Sequence, residues 1–343
     1  MICVNSVVTN GKRGNMADEV SFSSGILSII ETSRNNALKK VNEEVINMYW
    51  NVGKYLHDAS KDSSFGDSYI DTIAMDIQNK FPGIKGFNRR GLYRMKKFYE
   101  VYADDEFVTT LLTQISWSNH LAILSKAKTE EERHFYISLC IKENYSAREL
   151  DRQLDSGYYE RYMLSKEKLL PEPIQKLKEN PFLDSYVIEF LDLPQNFKES
   201  DLRKGLIQNM KDFILEVGKD FTFIDEEFKV QVGGEDYRID LLFYHRGLQC
   251  LVAFELKIGK FKPEYISKMD FYLEALDRQK KKENENPSVG MILCASKDDE
   301  VVEYAMSRTM SPMMVAEYQL QLPDKEVLQK KLQELINIPL IEE

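Results

Sequence analysis

Two runs constrain this chain more than anything else in it: Asp236-Tyr-Arg-Ile-Asp-Leu-Leu-Phe-Tyr-His245 and Cys250-Leu-Val-Ala-Phe-Glu-Leu-Lys-Ile-Gly259. Ile239, Leu241, Leu242 and Phe243 are strand formers, Arg246-Gly247 supplies a turn, and Leu251 to Phe254 returns as a buried strand. The pattern predicts a β-hairpin. Asp240 and Glu255 interrupt its apolar run, and Lys257 follows Glu255 at a spacing of two. Residues two apart in a strand share a face, so Glu255 and Lys257 project together. Asp240 can meet them from the neighbouring strand. Charges gathered on a mostly buried sheet are costly unless something uses them, and a divalent cation would.

The chain has 343 residues, room for two domains, and 43% of them are apolar. Its four cysteines, Cys3, Cys140, Cys250 and Cys294, lack metal-binding spacing and read as reduced thiols of a cytoplasmic protein. His57, His120, His134 and His245 form no ligand pattern. There is no nucleophile elbow and no glycine-rich phosphate loop. No stretch is long and apolar enough to span a membrane. The formal net charge of −10 argues against nonspecific nucleic-acid binding by the whole surface, but a local basic groove is compatible with it.

Taken in order, residues 1–18 read as a disordered leader, with Met16 a candidate start. Helical spacing runs from Val20 to Asp58 and from Tyr69 to Phe81, closed by Pro82-Gly83. Asn88 then caps a helix whose inward face is Leu92, Met95, Phe98 and Tyr99. Arg89, Arg90, Arg94, Lys96 and Lys97 fall elsewhere on that helix, with no acidic residue among them. A turn leading into a basic helix suits a helix-turn-helix reader; a solvated cationic face fits equally well. In Ile115-Ser-Trp-Ser-Asn-His120, Trp117 and His120 read as packing and capping residues. Lys168 to Pro173 reads as the linker. Glu199 to Val217 is amphipathic, and from Phe221 strands alternate with helices, predicting an α/β sandwich around a mixed sheet.

Asp240 followed by Glu255-Leu-Lys257 is the arrangement of PD-(D/E)XK nucleases. That motif is short. The longer string Ile239-Asp-Leu-Leu-Phe-Tyr-His245 with Phe254-Glu-Leu-Lys-Ile-Gly-Lys-Phe-Lys-Pro-Glu-Tyr265 is specific, and it resembles the bacterial YhcG-type family. The likeness covers nearly the whole chain. It implies a mainly α, helix-turn-helix-like N-terminal domain (19–170) and an α/β C-terminal domain (171–343) with the restriction-endonuclease-like mixed sheet.

The resemblance implies a Mg²⁺- or Mn²⁺-dependent nuclease acting on DNA, with RNA still open. Asp240, Glu255 and the backbone carbonyl of Leu256 would hold the metal, and Lys257 would handle transition-state charge. Many members add a carboxylate from the preceding helix; Glu216, in Leu215-Glu-Val-Gly-Lys219, is the candidate, with Glu227 and Glu235 as weaker ones. Lys268, four residues before Tyr272, resembles the Gln-x-x-x-Tyr of RecB-like members with lysine in place of glutamine. It joins Lys260 and Lys262 as a candidate phosphate contact, and the resemblance tips the basic helix 89–97 towards DNA binding. A second copy of the chain is a possible partner. The rival reading is a non-cleaving nucleic-acid- or protein-binding module on a nuclease fold, working within a defence or recombination complex.

Overall fold

The computed structural model describes residues 16–61, 67–165 and 181–336. The expected linker at 168–173 and the leader's residues 1–15 lie outside these; residues 16–18 already belong to the first helix. The chain packs as two compact units that divide between Leu124 and Ser125, whereas the linker-based expectation drew the boundary at 170.

The first unit is helical: α1 (Met16–Ala59), α2 (Asp67–Lys80), α3 (Arg89–Tyr102), α4 (Glu106–Leu111) and a 3₁₀ turn (Leu112–Gln114), with α5 (Trp117–Lys126) leading out of it. Asn88 starts α3 as its sequence predicts, its side chain accepting a hydrogen bond from the Gly91 N–H at 2.8 Å. Leu92, Met95, Phe98 and Tyr102 then recur at helical spacing and are fully buried. Gly53 lets α1 lie against α3, because a Cβ there would sit 2.1 Å from the Met95 carbonyl oxygen. Trp117 packs on Tyr49 and Phe98, and His120 is buried with Nε2 2.8 Å from the Leu112 carbonyl. Burial holds the His120 imidazole neutral, down to a pKa of about 4. Both residues are therefore core elements.

The second unit begins with the rest of α5 and contains α6 (Glu130–Glu143), α7 (Ala147–Asp155) and α8 (Tyr158–Ser165). Then follow β1 (Ser185–Val187), α9 (Glu199–Gln208), α10 (Met210–Val217), β2 (Phe221–Val232), β3 (Glu235–His245), β4 (Cys250–Lys260), α11 (Glu264–Gln279), β5 (Val289–Ser296), α12 (Asp299–Met306), β6 (Met313–Gln319) and α13 (Lys325–Ile336). The expected single helix from Glu199 to Val217 is broken at Asn209, whose φ of −109° and ψ of 33° leave the helical region. Six strands form one mixed sheet in the order β1-β6-β5-β4-β3-β2. The β2–β3–β4 part is antiparallel and the β4–β5–β6–β1 part parallel.

Side-chain alternation sorts the sheet into two core layers. Phe243, Val252, Phe254 and Leu256 join Phe213 of α10 on one side. Leu242, Leu251 and Ala253 join Met269 and Leu273 of α11 on the other. Glu255 and Lys257 alternate with Phe254 and Leu256, so both lie on the α11 side. Among the described residues, no helix is long and apolar enough to cross a membrane.

Candidate active site

The hairpin is irregular where Asp240 stands. Ile239 and Leu242 belong to the same core layer, so the alternation of β3 slips between them. On β2, Glu226 pairs with Leu241 and Phe228 with Ile239, while Glu227, which that register sets opposite Asp240, takes a left-handed φ of 46° and has no pairing. The β3–β4 ladder begins at Leu241 and Phe254. The Leu256 N–H, beyond it on β4, donates to Asp240 Oδ2 at 2.8 Å. This bond ties the first carboxylate to the strand carrying the second.

Glu255 is almost completely buried. Its Oε1 receives two ammonium groups, Lys257 Nζ at 2.8 Å and Lys268 Nζ at 2.5 Å. Its Oε2 is buried with no hydrogen-bond partner. Burial, then the charge of Glu255, pushes the Asp240 carboxyl above the usual range, against the pull of the Leu256 N–H and both lysines. Burial works to lower Lys257, but Glu255 and Glu199 outweigh it and hold the ammonium above its ordinary value. Lys268 is likewise raised, burial being outweighed by Glu255. Lys257 Nζ also donates to the Leu256 carbonyl at 3.0 Å. The arrangement is two carboxylates, one unpartnered acceptor on Glu255, and a backbone carbonyl beside them. An orphaned buried carboxylate oxygen next to a second, reluctantly ionised carboxylate fits a hard cation with oxygen ligands.

Glu216 does not join this group. It is fully buried on the last turn of α10, and both of its oxygens are taken. Oε1 accepts from Arg161 Nη1 at 2.6 Å and the Val187 N–H at 2.7 Å, and Oε2 from Arg152 Nη1 at 2.9 Å. Arg152 also holds Glu189, and Arg161 caps carbonyls of Ser156 and Ser185. Glu216, expected to serve the metal, stands in this structure at the centre of a buried ion-pair network with both oxygens engaged. The break at Asn209 explains the miss, because it makes α9, not α10, the helix that reaches the site. Glu199 of α9 lies 3.2 Å from Lys257 Nζ. Arg203, one turn on, reaches Asp240 at 3.5 Å and Glu227 at 3.3 Å. Neither was singled out from the sequence. Their i, i+4 spacing, which puts an acid and a base on one helix face, was the available signal.

The YhcG PDDEXK nuclease domain matches residues 179–333, and the DUF1016 N-terminal domain matches residues 25–161. The chain belongs to the YhcG family. YhcG of Escherichia coli (strain K12) is 27% identical over 358 residues, which cover 93% of this chain and 95% of that protein. Among solved structures, a repair endonuclease from Pyrococcus abyssi is 16% identical with a TM-score of 0.26, over 38% of this chain and 50% of that one. An EndoMS–dsDNA complex is 15% identical with a TM-score of 0.26, over 39% and 48%. The YhcG match spans Asp240, Glu255, Lys257 and Lys268. Tyr272 is core: it is buried in the α11 layer, and its hydroxyl donates to the Arg238 carbonyl at 2.6 Å.

Lys260 and Lys262 are exposed just past the site, each 3.8 Å from one carboxylate, Asp298 and Glu264. In the DUF1016 region the basic residues of α3 divide. Arg89 pairs with Asp71 of α2 at 2.6 Å, and Lys96 lies 3.6 Å from Glu100. Arg90, Arg94 and Lys97, at successive turns of one face, are exposed and make no ion pair with a described residue.

Proposed function

We propose that this YhcG-family chain is a divalent-metal-dependent nuclease that hydrolyses phosphodiester bonds in DNA, with its helical domain as the duplex-binding module. The observation that carries the reading is the buried, partnerless Oε2 of Glu255 beside Asp240. Asp240, Glu255 and the Leu256 carbonyl would hold Mg²⁺ or Mn²⁺. The ion, when bound, supplies charge neutralisation at the phosphate and a water acidic enough to attack at neutral pH. Lys257 is kept protonated by Glu255 and Glu199 and brings a fixed positive charge to the phosphorus as negative charge develops there. Glu199 orients that ammonium from the far side. Arg203 holds Asp240 in place from α9. The buried free thiols Cys140, Cys250 and Cys294, the last two pushed by burial up to about 12 and about 11, suit the reducing cytoplasm.

The test is incubation of the purified full chain with linear, circular, branched and single-stranded DNA, and with RNA, in Mg²⁺, Mn²⁺ or chelator. Metal-dependent DNA cutting, absent in Asp240→Asn, is the expected result. A chain that binds metal and DNA but cuts nothing belongs to the non-cleaving reading.

Duplex binding through α3 is supported by the exposed face of Arg90, Arg94 and Lys97. Its core face (Leu92, Met95, Phe98) is independent of those side chains, so replacing all three by Ala should leave the fold intact. Affinity measured by fluorescence anisotropy should fall, and its logarithmic salt slope should flatten by roughly one unit per lost phosphate contact. Arg89→Ala should do less, because Asp71 already neutralises that guanidinium. An unchanged slope in the triple variant would reduce α3 to a solvated face.

A further inference from the structure

Arg203 is loosely held in a unit whose other buried arginines are held tightly. Leu202 and Leu206 fix α9 on the sheet, and Arg203 leaves the same helix towards the β2–β3 hairpin. Its guanidinium faces three carboxylates: Glu227 Oε1 at 3.3 Å from Nη2, Asp240 Oδ1 at 3.5 Å from Nη1 and Glu226 Oε2 at 3.9 Å from Nε. Arg152 and Arg161 hold Glu189 and Glu216 at 2.6 to 3.0 Å. Charge-assisted bonds prefer about 2.7–2.9 Å, so none of the three contacts of Arg203 is tight. Its Nε is buried with no hydrogen-bond partner. A fork of donors shaped for a carboxylate or a phosphate thus stands beside Asp240 with donors to spare. The side chains of Arg203 and Asp240 keep 16% and 17% of their exposure, so a ligand can reach both.

The backbone of β2 is bent to supply one of these contacts. Glu227 takes its left-handed φ of 46° at a cost, because its Cβ crowds the following carbonyl. Its Oε1 lies between Arg203 Nη2 at 3.3 Å and Arg238 Nη1 at 3.5 Å. Backbone strain of this kind collects where a site needs a group aimed. Charge then sets an order of binding. Glu199 and Glu255 balance Lys257 and Lys268, whereas Glu226, Glu227 and Asp240 outnumber Arg203 and Arg238. The Arg203 side of the site is therefore negative and repels a phosphodiester. A divalent ion on Asp240 reverses that sign and takes over the charge that Arg203 compensates. Oxygens held by one small ion are neighbours, so a phosphate on that ion falls within reach of the guanidinium.

We propose that Arg203 is a phosphate-binding residue of the nuclease site, passed from Asp240 to the substrate by a divalent ion, with Glu227 as its positioning residue. The proposal rests on the metal-dependent reading above. Its test is the duplex affinity of the full chain, by fluorescence anisotropy, in chelator and in Ca²⁺, a hard cation for the same oxygen ligands, read before any cutting shows on a gel. Tm with and without Ca²⁺ reports ion binding separately. In the parent, Ca²⁺ should tighten duplex binding by a factor within the ~5–150-fold range of coupled sites. Arg203→Gln should lose at least about fivefold of that factor and keep the Tm rise, since removing a neighbouring cation does not weaken an ion. Lys204→Gln removes the same charge from an exposed position of α9 and should leave the factor unchanged. Arg203→Lys keeps the charge without the fork; it should lose part of the factor and serves if the glutamine impairs folding. Glu227→Asn, which tolerates the left-handed backbone, should lower the factor by about two- to threefold. A parent whose Tm ignores the ion loses the metal-dependent reading and this proposal with it. A parent that binds the ion without tightening on DNA, or Arg203 variants that keep the parent's factor, would overturn the proposal alone. So would an equal loss in Lys204→Gln, or a Tm rise that vanishes in Arg203→Gln, which would make Arg203 only an orienter of Asp240. An unchanged factor in Glu227→Asn would remove Glu227 from the role.

Discussion

Two buried carboxylate centres of the second unit look alike by burial and opposite by satisfaction. Glu216 receives three donors on two oxygens, two of them arginines. Glu255 receives two lysines on one oxygen and nothing on the other, with Asp240 nearby and held above its usual carboxylate range. A saturated buried charge is part of the architecture, because removing it strands its partners. An unsaturated one is costly in the folded chain and marks where a missing group belongs. Burial alone cannot separate the two cases; the count of partners can.

The largest test of this contrast is stability. Glu216→Ala leaves Arg152 and Arg161 buried and unpaired, so it should cost about 3–5 kcal/mol in chemical denaturation. Loss of less than about 1 kcal/mol would return Glu216 to the list of functional candidates. Next comes chemistry. Lys257→Ala should lower the cleavage rate by about 10²–10³-fold with little loss of DNA affinity, read from single-turnover kinetics beside binding anisotropy. An unchanged rate would remove Lys257 from the transition state.

A smaller effect concerns the two lysines on Glu255. Any cation on Glu255 must displace or repel Lys268, so Lys268→Gln should tighten Mn²⁺ binding by up to about tenfold in titration calorimetry. Weaker binding would mean that Lys268 organises the site. The smallest effect has the sign that most sharply opposes Glu216. Asp240→Asn should raise metal-free stability, by about 1 kcal/mol or less, and abolish the Tm rise on adding Mn²⁺. The folded Asp240 titrates above its unfolded value, so its contribution is present below the unfolded pKa and lost as pH rises through the folded one. The advantage of Asp240→Asn should therefore grow from acid to neutral pH in thermal melts.

Much of the site was legible because the hairpin is local. Strand periodicity, the turn at Arg246-Gly247 and the two-residue spacing of Glu255 and Lys257 are properties of neighbouring residues, and the sheet keeps them. Lys268 was legible as a basic residue near the site, but not as the second ammonium on Glu255, since that contact joins α11 to β4. Glu216 was misread for the same kind of reason. Its string reads as the end of one long helix, whereas Asn209 breaks that helix and Arg152 and Arg161 arrive from α7 and α8. Trp117 and His120 were read correctly as core because aromatic and capping patterns are short-range.

By itself, then, the sequence determined the element types, the mixed α/β class of the second unit and the strand placement of Asp240, Glu255 and Lys257. Each follows from hydrophobic period, turn chemistry and spacing, which are set within a few residues. Only the tertiary structure decided which acidic residue is saturated and which is left wanting. It also brought Glu199 and Arg203 to the site and gave Glu255 two lysines. Those outcomes depend on electrostatic and packing contacts between residues tens to hundreds of positions apart, and no local pattern encodes them.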